Sequence, residues 1–313
     1  MNQTLAITGA SGFLGRCLLA ECARRRTYRL RLLTRNIAGI QVPTDRMLSV
    51  CEGDLVSGYG VEECFEPQAT VVHLAYVHDD PQANIDATSK LIDAARASGV
   101  RRVIHCSTAV VVGFSTPGVI TEKTPVRPRG WYQEIKWEIE QRLCAGLPPS
   151  IELSIIRPTE IIGPGGIGLG KLVRRVRGSS RGANAVCHAI LGSRRFNYVS
   201  VHNVVEAILL LAGTPIPQTG DVYQVSDDDD PDNTYEAVES IIRSSCGIKE
   251  RSGGVRLPRV ALSMLFKMLL PDHAPPDRVY STAKLRAFGY RPVTTLRSAV
   301  RELVTLGLPD AHS

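Results

Sequence analysis

A glycine-rich segment close to the start of the chain constrains its fold more than any other part of the sequence. An apolar run over residues 5–7 precedes three glycines, Gly9, Gly12 and Gly15, and an amphipathic helical pattern begins at Leu14. This order predicts a short strand, a tight turn and a helix. Glycines let the backbone bend sharply and approach a ligand closely, and a helix N-terminus presents N–H groups and a positive dipole. Together these features are typical of a turn that binds the pyrophosphate of a dinucleotide.

Strand-like and helix-like segments alternate through the first half of the chain. Short apolar runs predict strands at 4–8, 28–34, 47–51, 70–75, 101–107 and 152–157. Helical patterns lie between them, most clearly over 84–97 and 132–144, and two later runs at 197–201 and 221–226 extend the series of strands. Because such alternation folds into parallel strands joined by crossover helices, we expect an α/β protein with a doubly wound, Rossmann-like parallel sheet.

The second half of the chain loses this regular alternation. We therefore predict a dinucleotide-binding domain over 1–162, with residues 196–226 adding to its sheet. The segments 163–195 and 227–313 are expected to form a smaller, C-terminal substrate-binding cap over the carboxyl ends of the strands, where ligands bind in such sheets. An apolar run in the cap, residues 264–269, is a candidate lining for an apolar substrate, although core packing explains it equally well.

Polar residues after the last predicted strand indicate a loop followed by a helix. The acidic run from Asp227 to Asp230, followed by Pro231, predicts a solvated acidic turn, with a metal site as the alternative. Asn233 or Thr234 is suited to cap a helix that continues through 242, because a short polar side chain there can accept a hydrogen bond from the first helical turn.

Composition excludes several classes of protein. The net charge of +6 is spread along the chain, and its densest basic segment, residues 171–181, contains no aromatic residues of the kind that stack on bases. We therefore expect no nucleic-acid partner and interpret the segment as a solvated helix face or as an anion-binding surface for a phosphorylated substrate. No run of about 18 apolar residues predicts a membrane span.

The cysteines and the N-terminus favour a cytoplasmic location. The eight cysteines form no C-x-x-C pair, so we expect neither a disulfide framework nor a zinc site, and we predict no metal. The chain also begins without a charged and then apolar leader that ends in a small-residue cleavage site.

Residues near the ends of the next strands complete the predicted cofactor site. Arg35 follows the second strand, where a guanidinium can hold the 2′-phosphate of an adenosine ribose. It favours NADP(H) over NAD(H), with a solvent-exposed arginine as the alternative. Asp54 and Leu55 follow the third strand and are suited to the adenine edge, and Leu74 and Ala75 end the fourth strand, where the small Ala75 leaves room for the cofactor.

A tyrosine and a lysine four residues apart are the candidate reactive groups. Tyr132 and Lys136 share one face of the predicted helix, where the lysine charge should lower the pKa of the tyrosine from about 10 toward neutrality. Such a tyrosine can act as general acid or base for an alcohol/ketone couple. Thr108 follows the fifth strand and would face the same crevice, where its hydroxyl can donate to a substrate oxygen as charge develops.

With these motifs in this order, the chain resembles the extended short-chain dehydrogenases/reductases, the NAD(P)-dependent epimerase/dehydratase family. The resemblance also includes Arg157-Pro158, Gly163-Pro164-Gly165, Tyr198 to Val204 and Lys284 to Pro292. It implies that Tyr132 is the acid/base, that Thr108 positions the substrate oxygen, and that Lys136 binds the nicotinamide ribose. The cofactor-binding residues it implies are Gly9, Ser11, Gly12, Phe13, Leu14, Gly15, Arg35, Asp54, Leu55, Leu74, Ala75, Tyr132, Lys136 and Pro158. Family resemblance further suggests homodimers formed through the helices at 84–97 and 132–144.

Departures from the family pattern narrow the reaction. Ala109-Val110 stand where dehydratases of the family carry an Asp-Glu pair, so a 4,6-dehydratase is not expected. Arg35 favours a consumed NADPH, and hence a 4-keto reductase, over a C4 epimerase that retains NAD. Arg194 and Arg195 are the candidate substrate-binding cations for a nucleotide sugar, although the carboxylate of Glu160 would repel a diphosphate. The alternatives are a C4 epimerase, a reductase of a smaller apolar carbonyl compound, and an NADP-binding redox sensor without turnover.

Overall fold

The computed structural model describes residues 3–37, 47–113, 118–178, 181–249 and 275–306, together with positions 258, 261, 264 and 268. The chain divides into two compact units. The first unit contains Met1–Val111, Pro128–Arg157 and Ala207–Tyr223, and the second contains Val112–Arg127, Pro158–Glu206 and Gln224–Ser313.

Strands and helices alternate along the chain. The strands are β1 (Gln3–Thr8), β2 (Tyr28–Thr34), β3 (Leu48–Glu52), β4 (Thr70–His73), β5 (Arg102–Cys106), β6 (Val119–Ile120), β7 (Glu152–Pro158), β8 (Glu160–Ile162), β9 (Tyr198–Ser200), β10 (Asp221–Val225) and β11 (Val279–Tyr280). The helices are α1 (Phe13–Arg25), α2 (Val61–Cys64), α3 (Pro81–Ala97), α4 (Trp131–Gly146), α5 (Gly170–Gly178), α6 (Arg181–Leu191), α7 (Val201–Gly213), α8 (Tyr235–Ser245), α9 (Ala283–Ala287) and α10 (Leu296–Leu306).

A seven-stranded sheet in the order β10-β7-β5-β4-β1-β2-β3 forms the centre of the first unit. The pairs from β7 through β5, β4, β1 and β2 to β3 are parallel, which confirms the predicted doubly wound sheet. Strand β1 lies between β4 and β2, so the direction of strand succession reverses between β1 and β4. Ligands bind at such a reversal, outside the carboxyl ends of the strands. The glycine-rich turn after β1 therefore stands at the position that the topology favours for a ligand.

The central strands are apolar because helices cover both faces of the sheet. Leu5, Ala6 and Ile7 of β1 and Val71 and Val72 of β4 are all fully buried. Continuous apolar runs are typical of parallel strands buried on both faces. The predicted strand at 70–75 is shorter in the structure, since β4 ends at His73.

Helix α3 begins three residues before the predicted helix at 84–97. It starts at Pro81 because the Asp80 side chain accepts a hydrogen bond of 2.9 Å from the backbone N–H of Ala83. Asparagine, aspartate and serine are favoured at this N-cap position, and proline is tolerated in the first turn because its missing N–H is not needed there.

A buried ion pair fixes helix α4 against the sheet within the first unit. Arg157, near the end of β7, donates to both carboxylate oxygens of Glu140, with distances of 3.0 Å from Nε and 2.6 Å from Nη2. Ser107, directly after β5, donates its hydroxyl to the same carboxylate. The Glu140 and Arg157 side chains are 1% and 3% exposed, so their charges depend on one another for compensation. One carboxylate thus connects α4 to the ends of two neighbouring strands.

The second unit contains two small sheets, in which β6 pairs with β11 and β8 pairs with β9. The prediction that residues 196–226 add to the central sheet holds for β10 and is wrong for β9. Strand β9 has only three residues, because helix α7 begins at Val201, and its register places Tyr198 opposite Glu160 of β8.

The first half of the acidic run Asp227–Asp230 is not solvated as the sequence predicts, whereas Asp229 is exposed. Asp227 accepts from the backbone N–H of Ser200 at 2.8 Å and from Asn203 at 2.9 Å, and Asp228 accepts from Asn197 and from the backbone N–H of Tyr280, both at 2.7 Å. Both carboxyl groups are buried, and burial raises the pKa of each to about 6. Backbone and amide donors from distant segments of the unit therefore surround these two side chains.

The helix after the acidic run begins as predicted, with Thr234 as its cap. The Thr234 hydroxyl accepts from the backbone N–H of Ala237 at 3.3 Å. Asn233 instead binds the backbone of Tyr198, accepting at 3.1 Å and donating at 2.9 Å.

The described part of the chain contains no disulfide, no cluster of metal-ligating side chains and no helix that could span a membrane. All eight cysteines are free thiols. Within the described ranges there is no group of three His, Cys, Asp or Glu side chains suited to a metal ion. Nor does any helix there combine the length and apolar character that crossing a bilayer requires. Of the apolar run at 264–269, only Met264 and Met268 are described, and both side chains are exposed; the rest lies outside the described residues.

Removal of the Glu140 carboxylate should destabilise the protein strongly. In Glu140→Ala, Arg157 keeps its burial and loses its counter-charge, so we expect the free energy of unfolding in urea to fall by about 3–5 kcal/mol. The matched control on the same helix is Glu138→Ala, because Glu138 pairs with Arg142 while both side chains are largely exposed. This control should lose less than about 1 kcal/mol. Equal losses in the two variants would contradict the role given to the buried pair.

The buried Asp227 should make stability depend on pH in a direction opposite to that of most carboxylates. Its folded pKa of about 6 lies above the usual value of 3.8, so its contribution is fully present below about pH 4 and is lost as the pH rises through 6. Asp227→Asn keeps an acceptor oxygen and does not titrate. The free energy of unfolding of the wild type relative to this variant should therefore fall by about 2 kcal/mol between pH 4 and pH 7. A difference that stays constant over this range would refute the expectation.

Candidate active site

The turn after β1 requires glycine at two positions. Gly9 has φ +75°, and a Cβ on it would lie 2.6 Å from the backbone nitrogen of Ala75, which follows β4. A Cβ on Gly15 would lie 2.7 Å from Cα of Ala10 and would clash with the Gly9 carbonyl. The turn is closed by a hydrogen bond of 3.1 Å from the Gly12 N–H to the Gly9 carbonyl. The glycines therefore allow the backbones of β1, α1 and the segment after β4 to lie close to one another.

The start of helix α1 is left open to an anion. Gly12 is its N-cap residue, and neither a side-chain cap nor an acidic residue of the first turn satisfies its N–H groups. Arg16 reaches back to the Ser11 carbonyl at 2.6 Å and adds positive charge beside the turn. These features suit the pyrophosphate of a dinucleotide. The free N–H groups can donate to its oxygens, the helix dipole favours its negative charge, and the glycines have no Cβ to block its approach. The residues of the turn, with Phe13 and Leu14 opening the helix, fit such a cofactor.

The structure places the other predicted cofactor residues at the carboxyl ends of β2, β3, β4 and β7. Arg35 is exposed directly after β2. Asp54 accepts from the Val56 N–H at 3.0 Å and so shapes the turn after β3, while Leu55 is buried in the core. Leu74 follows β4, and Pro158 is the last residue of β7.

Thr108, Tyr132 and Lys136 come together in the first unit. Tyr132 lies in the first turn of α4, and Thr108, just beyond β5, is close enough to its hydroxyl to lower the pKa of the phenol. One turn further along α4, the buried Lys136 donates from Nζ to the Cys106 carbonyl at 3.2 Å. A hydroxyl donor, a phenol and an ammonium group therefore lie around one strand end, as the sequence predicts.

Burial, and not the lysine charge, controls the protonation of Tyr132. Although 36% of this residue is exposed, burial of its hydroxyl raises its pKa to about 12, with Cys106 and Tyr76 adding to the increase and Thr108 opposing it. The expectation that Lys136 lowers this pKa is wrong for this structure. The ammonium group is directed at the Cys106 carbonyl and at the ring of Tyr76, and burial lowers its own pKa. Tyr132 is thus a protonated phenol at neutral pH.

Two buried histidines beneath the site are neutral. His73, the last residue of β4, shares a hydrogen bond of 2.8 Å with Thr8, and its ring stacks on that of His105 at 5.2 Å. Burial, assisted by the Lys136 charge, lowers the pKa of His73 to about 3 and that of His105 well below its usual value. The strand ends under the site therefore add no positive charge to that of Lys136.

Sequence reasoning missed Tyr76 and Glu140 as neighbours of the reactive groups. The ring of Tyr76 contacts both Tyr132 and Lys136. Glu140 is four residues after Lys136 and so lies on the same helix face, a spacing that could have indicated it. Tyr76 follows a strand in a loop, where no periodic pattern predicts the direction of a side chain.

The predicted substrate-binding arginines belong to the second unit. Arg194 and Glu160 influence one another electrostatically, while burial lowers the pKa of Arg194 and raises that of Glu160. Arg195 donates from Nη1 to the Asp228 carbonyl at 2.9 Å. The charge of Arg194 is therefore partly compensated by Glu160, the carboxylate that was expected to repel a diphosphate. Arg195 already uses one of its donors in a hydrogen bond within the second unit.

Comparison with known proteins identifies the family and agrees with the fold. The model of the NAD dependent epimerase/dehydratase family matches residues 5–226. A UDP-glucose 4-epimerase of Vibrio cholerae is 30% identical over 257 residues, which are 77% of this chain and 75% of the relative. A 3 beta-hydroxysteroid dehydrogenase/Delta 5-->4-isomerase of Mycobacterium tuberculosis is 24% identical and covers 95% of this chain and 88% of the relative.

A solved structure shows the same fold over nearly the whole chain. The structure of MoeE5 in complex with UDP-glucuronic acid and NAD has a TM-score of 0.72 at 21% identity and covers 97% of this chain and 98% of its own. The fold agrees with the family match, whose range includes the glycine-rich turn and Thr108, Tyr132 and Lys136. The chain belongs to the NAD-dependent epimerase/dehydratase family, whose members are extended short-chain dehydrogenase/reductase enzymes.

Proposed function

We propose that this enzyme transfers hydride between a nicotinamide cofactor and a keto or hydroxyl carbon of a nucleotide sugar, as a 4-keto reductase. The observation that carries the proposal is the convergence of Thr108, Tyr132 and Lys136 at the end of β5. A bound nicotinamide cofactor would supply the hydride. The protein would supply the proton, the orientation of the carbonyl oxygen and the electrostatic stabilisation.

The protonation state of Tyr132 suits the reductive direction. A phenol with a pKa of about 12 retains its proton at neutral pH and can donate it to the oxygen of a carbonyl group. Thr108 would donate a second hydrogen bond to that oxygen as negative charge develops on it. The Lys136 ammonium, held against the Cys106 carbonyl, would stabilise the negative charge that develops on that oxygen.

The cofactor assignment rests on the turn after β1 and on Arg35. Gly9, Gly12 and the first turn of α1 would hold the pyrophosphate, and Asp54 would lie toward the adenine. Arg35, exposed at the end of β2, would bind a 2′-phosphate through its planar guanidinium group. We therefore favour NADP(H), while the NAD present in the MoeE5 complex supports NAD(H) as the alternative.

The substrate class is supported by the relatives and by the arginines of the second unit. The names of the Vibrio enzyme and of the MoeE5 complex both include UDP-linked sugars. Arg194 and Arg195 would contact the phosphates of such a substrate. Cytoplasmic location, absence of nucleic-acid partners and homodimerisation through α3 and α4 stay predictions from the sequence.

Two other reactions are each favoured by one observation. Similarity to a UDP-glucose 4-epimerase favours a C4 epimerase that retains NAD. Similarity over 95% of the chain to a hydroxysteroid dehydrogenase favours an apolar carbonyl substrate.

The discriminating assay measures NADPH and NADH oxidation with UDP-4-keto sugars and with steroid ketones, and the interconversion of UDP-glucose and UDP-galactose. Cofactor oxidation with UDP-4-keto sugars alone supports the proposal, whereas cofactor binding without any turnover would indicate a redox sensor.

Loss of the Tyr132 hydroxyl should abolish most of the activity. In Tyr132→Phe no general acid remains at the carbonyl oxygen, so kcat with the best substrate should fall about 10²- to 10⁴-fold. Cofactor affinity, measured by fluorescence titration, should change little. The control is Tyr59→Phe, because Tyr59 is 68% exposed and remote from the reactive group in sequence. Retention of more than a tenth of the activity in Tyr132→Phe would remove the tyrosine from the proposed role.

Charge reversal at Arg35 should separate the two cofactors. An aspartate in place of Arg35 would repel a 2′-phosphate, so Arg35→Asp should weaken NADPH binding by about tenfold or more. NADH binding serves as the internal control and should be unchanged or stronger, because the ribose hydroxyls of NADH can donate to a carboxylate. Unchanged NADPH affinity would show that Arg35 does not select the cofactor.

A further inference from the structure

Tyr76 occupies a central position beside the reactive group although no motif includes it. It follows Ala75, whose backbone nitrogen meets the glycine-rich turn at Gly9. The residue is half-buried, and it stands at the same strand end as His73. Tyr76 therefore lies where the cofactor-binding turn and the reactive side chains approach one another within the first unit.

The ring of Tyr76 contacts both members of the acid–base pair. Lys136 Nζ lies 4.4 Å from the ring centroid, within the range of a cation–π interaction. The ring is also perpendicular to that of Tyr132, with centroids 5.5 Å apart and planes at 84°. Edge-to-face packing of this kind is a favoured aromatic geometry. A single side chain thus contacts the ammonium group and the phenol ring that the proposed reaction uses.

The hydroxyl of Tyr76 makes no comparable contribution. It is buried, and it has no hydrogen-bond partner among the side chains and backbone that the structure describes. Burial, together with the nearby Asp79, raises its pKa, so it stays protonated. A buried hydroxyl without a partner is unfavourable for stability. The contacts of the ring, and not the hydroxyl, therefore account for an aromatic side chain at this position.

The other groups near Tyr132 and Lys136 do not replace the contribution of the Tyr76 ring to the stability of the Lys136 ammonium. Lys136 faces the Cys106 thiol, whose pKa burial raises to about 11, and the neutral imidazoles of His73 and His105. Glu140, the nearby carboxylate, is already bonded to Arg157 and Ser107. Among the described residues, the further titratable groups that face these side chains are Tyr132, Asp79 and His78. Besides the Cys106 carbonyl, the Tyr76 ring face contacts the Lys136 ammonium directly.

We propose that Tyr76 is a positioning residue, whose ring holds the Lys136 ammonium and the Tyr132 ring in the arrangement that proton transfer requires. The proposal rests on the function proposed above only for its effect on catalysis. The effect of the Tyr76 ring on the pKa of Lys136 does not depend on any substrate. Removal of the ring should disfavour the charged form of Lys136, because a cation–π contact stabilises only the cation.

The test compares Tyr76→Phe, which keeps the ring, with Tyr76→Leu, which removes it. The pKa of Lys136 is measured by ¹⁵N NMR of the lysine side chains, with its resonance assigned by its loss in Lys136→Arg. We expect Tyr76→Leu to lower this pKa by about 0.5 to 1 and Tyr76→Phe to leave it unchanged. Tyr59→Leu is the matched control, since Tyr59 is exposed. Circular dichroism and thermal unfolding establish that each variant is folded.

The catalytic arm uses the substrate that gives turnover in the assay above. Tyr76→Leu should lower kcat about tenfold with little change in KM, and Tyr76→Phe should retain the wild-type kcat. Equal pKa values of Lys136 in the leucine and phenylalanine variants would overturn the proposal, as would equal losses of kcat in both. A lowered pKa in Tyr76→Leu, with no turnover by any form of the protein, would uphold the electrostatic role and reject the proposed reaction instead.

Discussion

The buried ion pair between Glu140 and Arg157 is the interaction on which the arrangement of the reactive group depends. It connects α4, which carries Tyr132 and Lys136, to the end of β7, and through Ser107 it reaches the end of β5. These elements are distant in sequence, and apolar packing alone permits small shifts of a helix along a sheet. Bidentate hydrogen bonds between a guanidinium and a carboxylate have a much narrower geometry. The pair therefore fixes the position of the tyrosine relative to the strand ends.

Burial determines the charge of the site as strongly as neighbouring groups do. The histidines at the ends of β4 and β5 are neutral, the phenol of Tyr132 keeps its proton, and Lys136 is the cation beside them. The Lys136 ammonium and the Tyr132 phenol are suited to stabilise an oxygen atom on which negative charge develops, because neither group needs to reorganise during that change. The electrostatic character of the site thus follows from which side chains the fold excludes from water.

Local patterns predicted the parts of the structure that depend on local sequence. The apolar runs, the glycine spacing and the four-residue interval between Tyr132 and Lys136 were sufficient for the sheet, the turn and the reactive group. The pKa of Tyr132 was predicted in the wrong direction, because the burial of its hydroxyl depends on segments distant in the chain. The same reason applies to Asp227. The sequence predicts that it lies in a solvated turn, but donors from other segments surround its buried carboxylate. Strand pairing of residues 198–200 likewise depends on a partner that no local pattern indicates.

The close approach of Gly9 to Ala75 has a mechanical consequence. The two segments meet through backbone atoms, with no side chain between them that could change its rotamer and absorb a displacement. A shift of the glycine-rich turn must therefore be transmitted to the residues after β4, including Tyr76, and a shift of those residues must be transmitted to the turn. In this molecule the turn that would hold one end of a dinucleotide and the ring beside the proposed proton donor are therefore coupled through backbone contact.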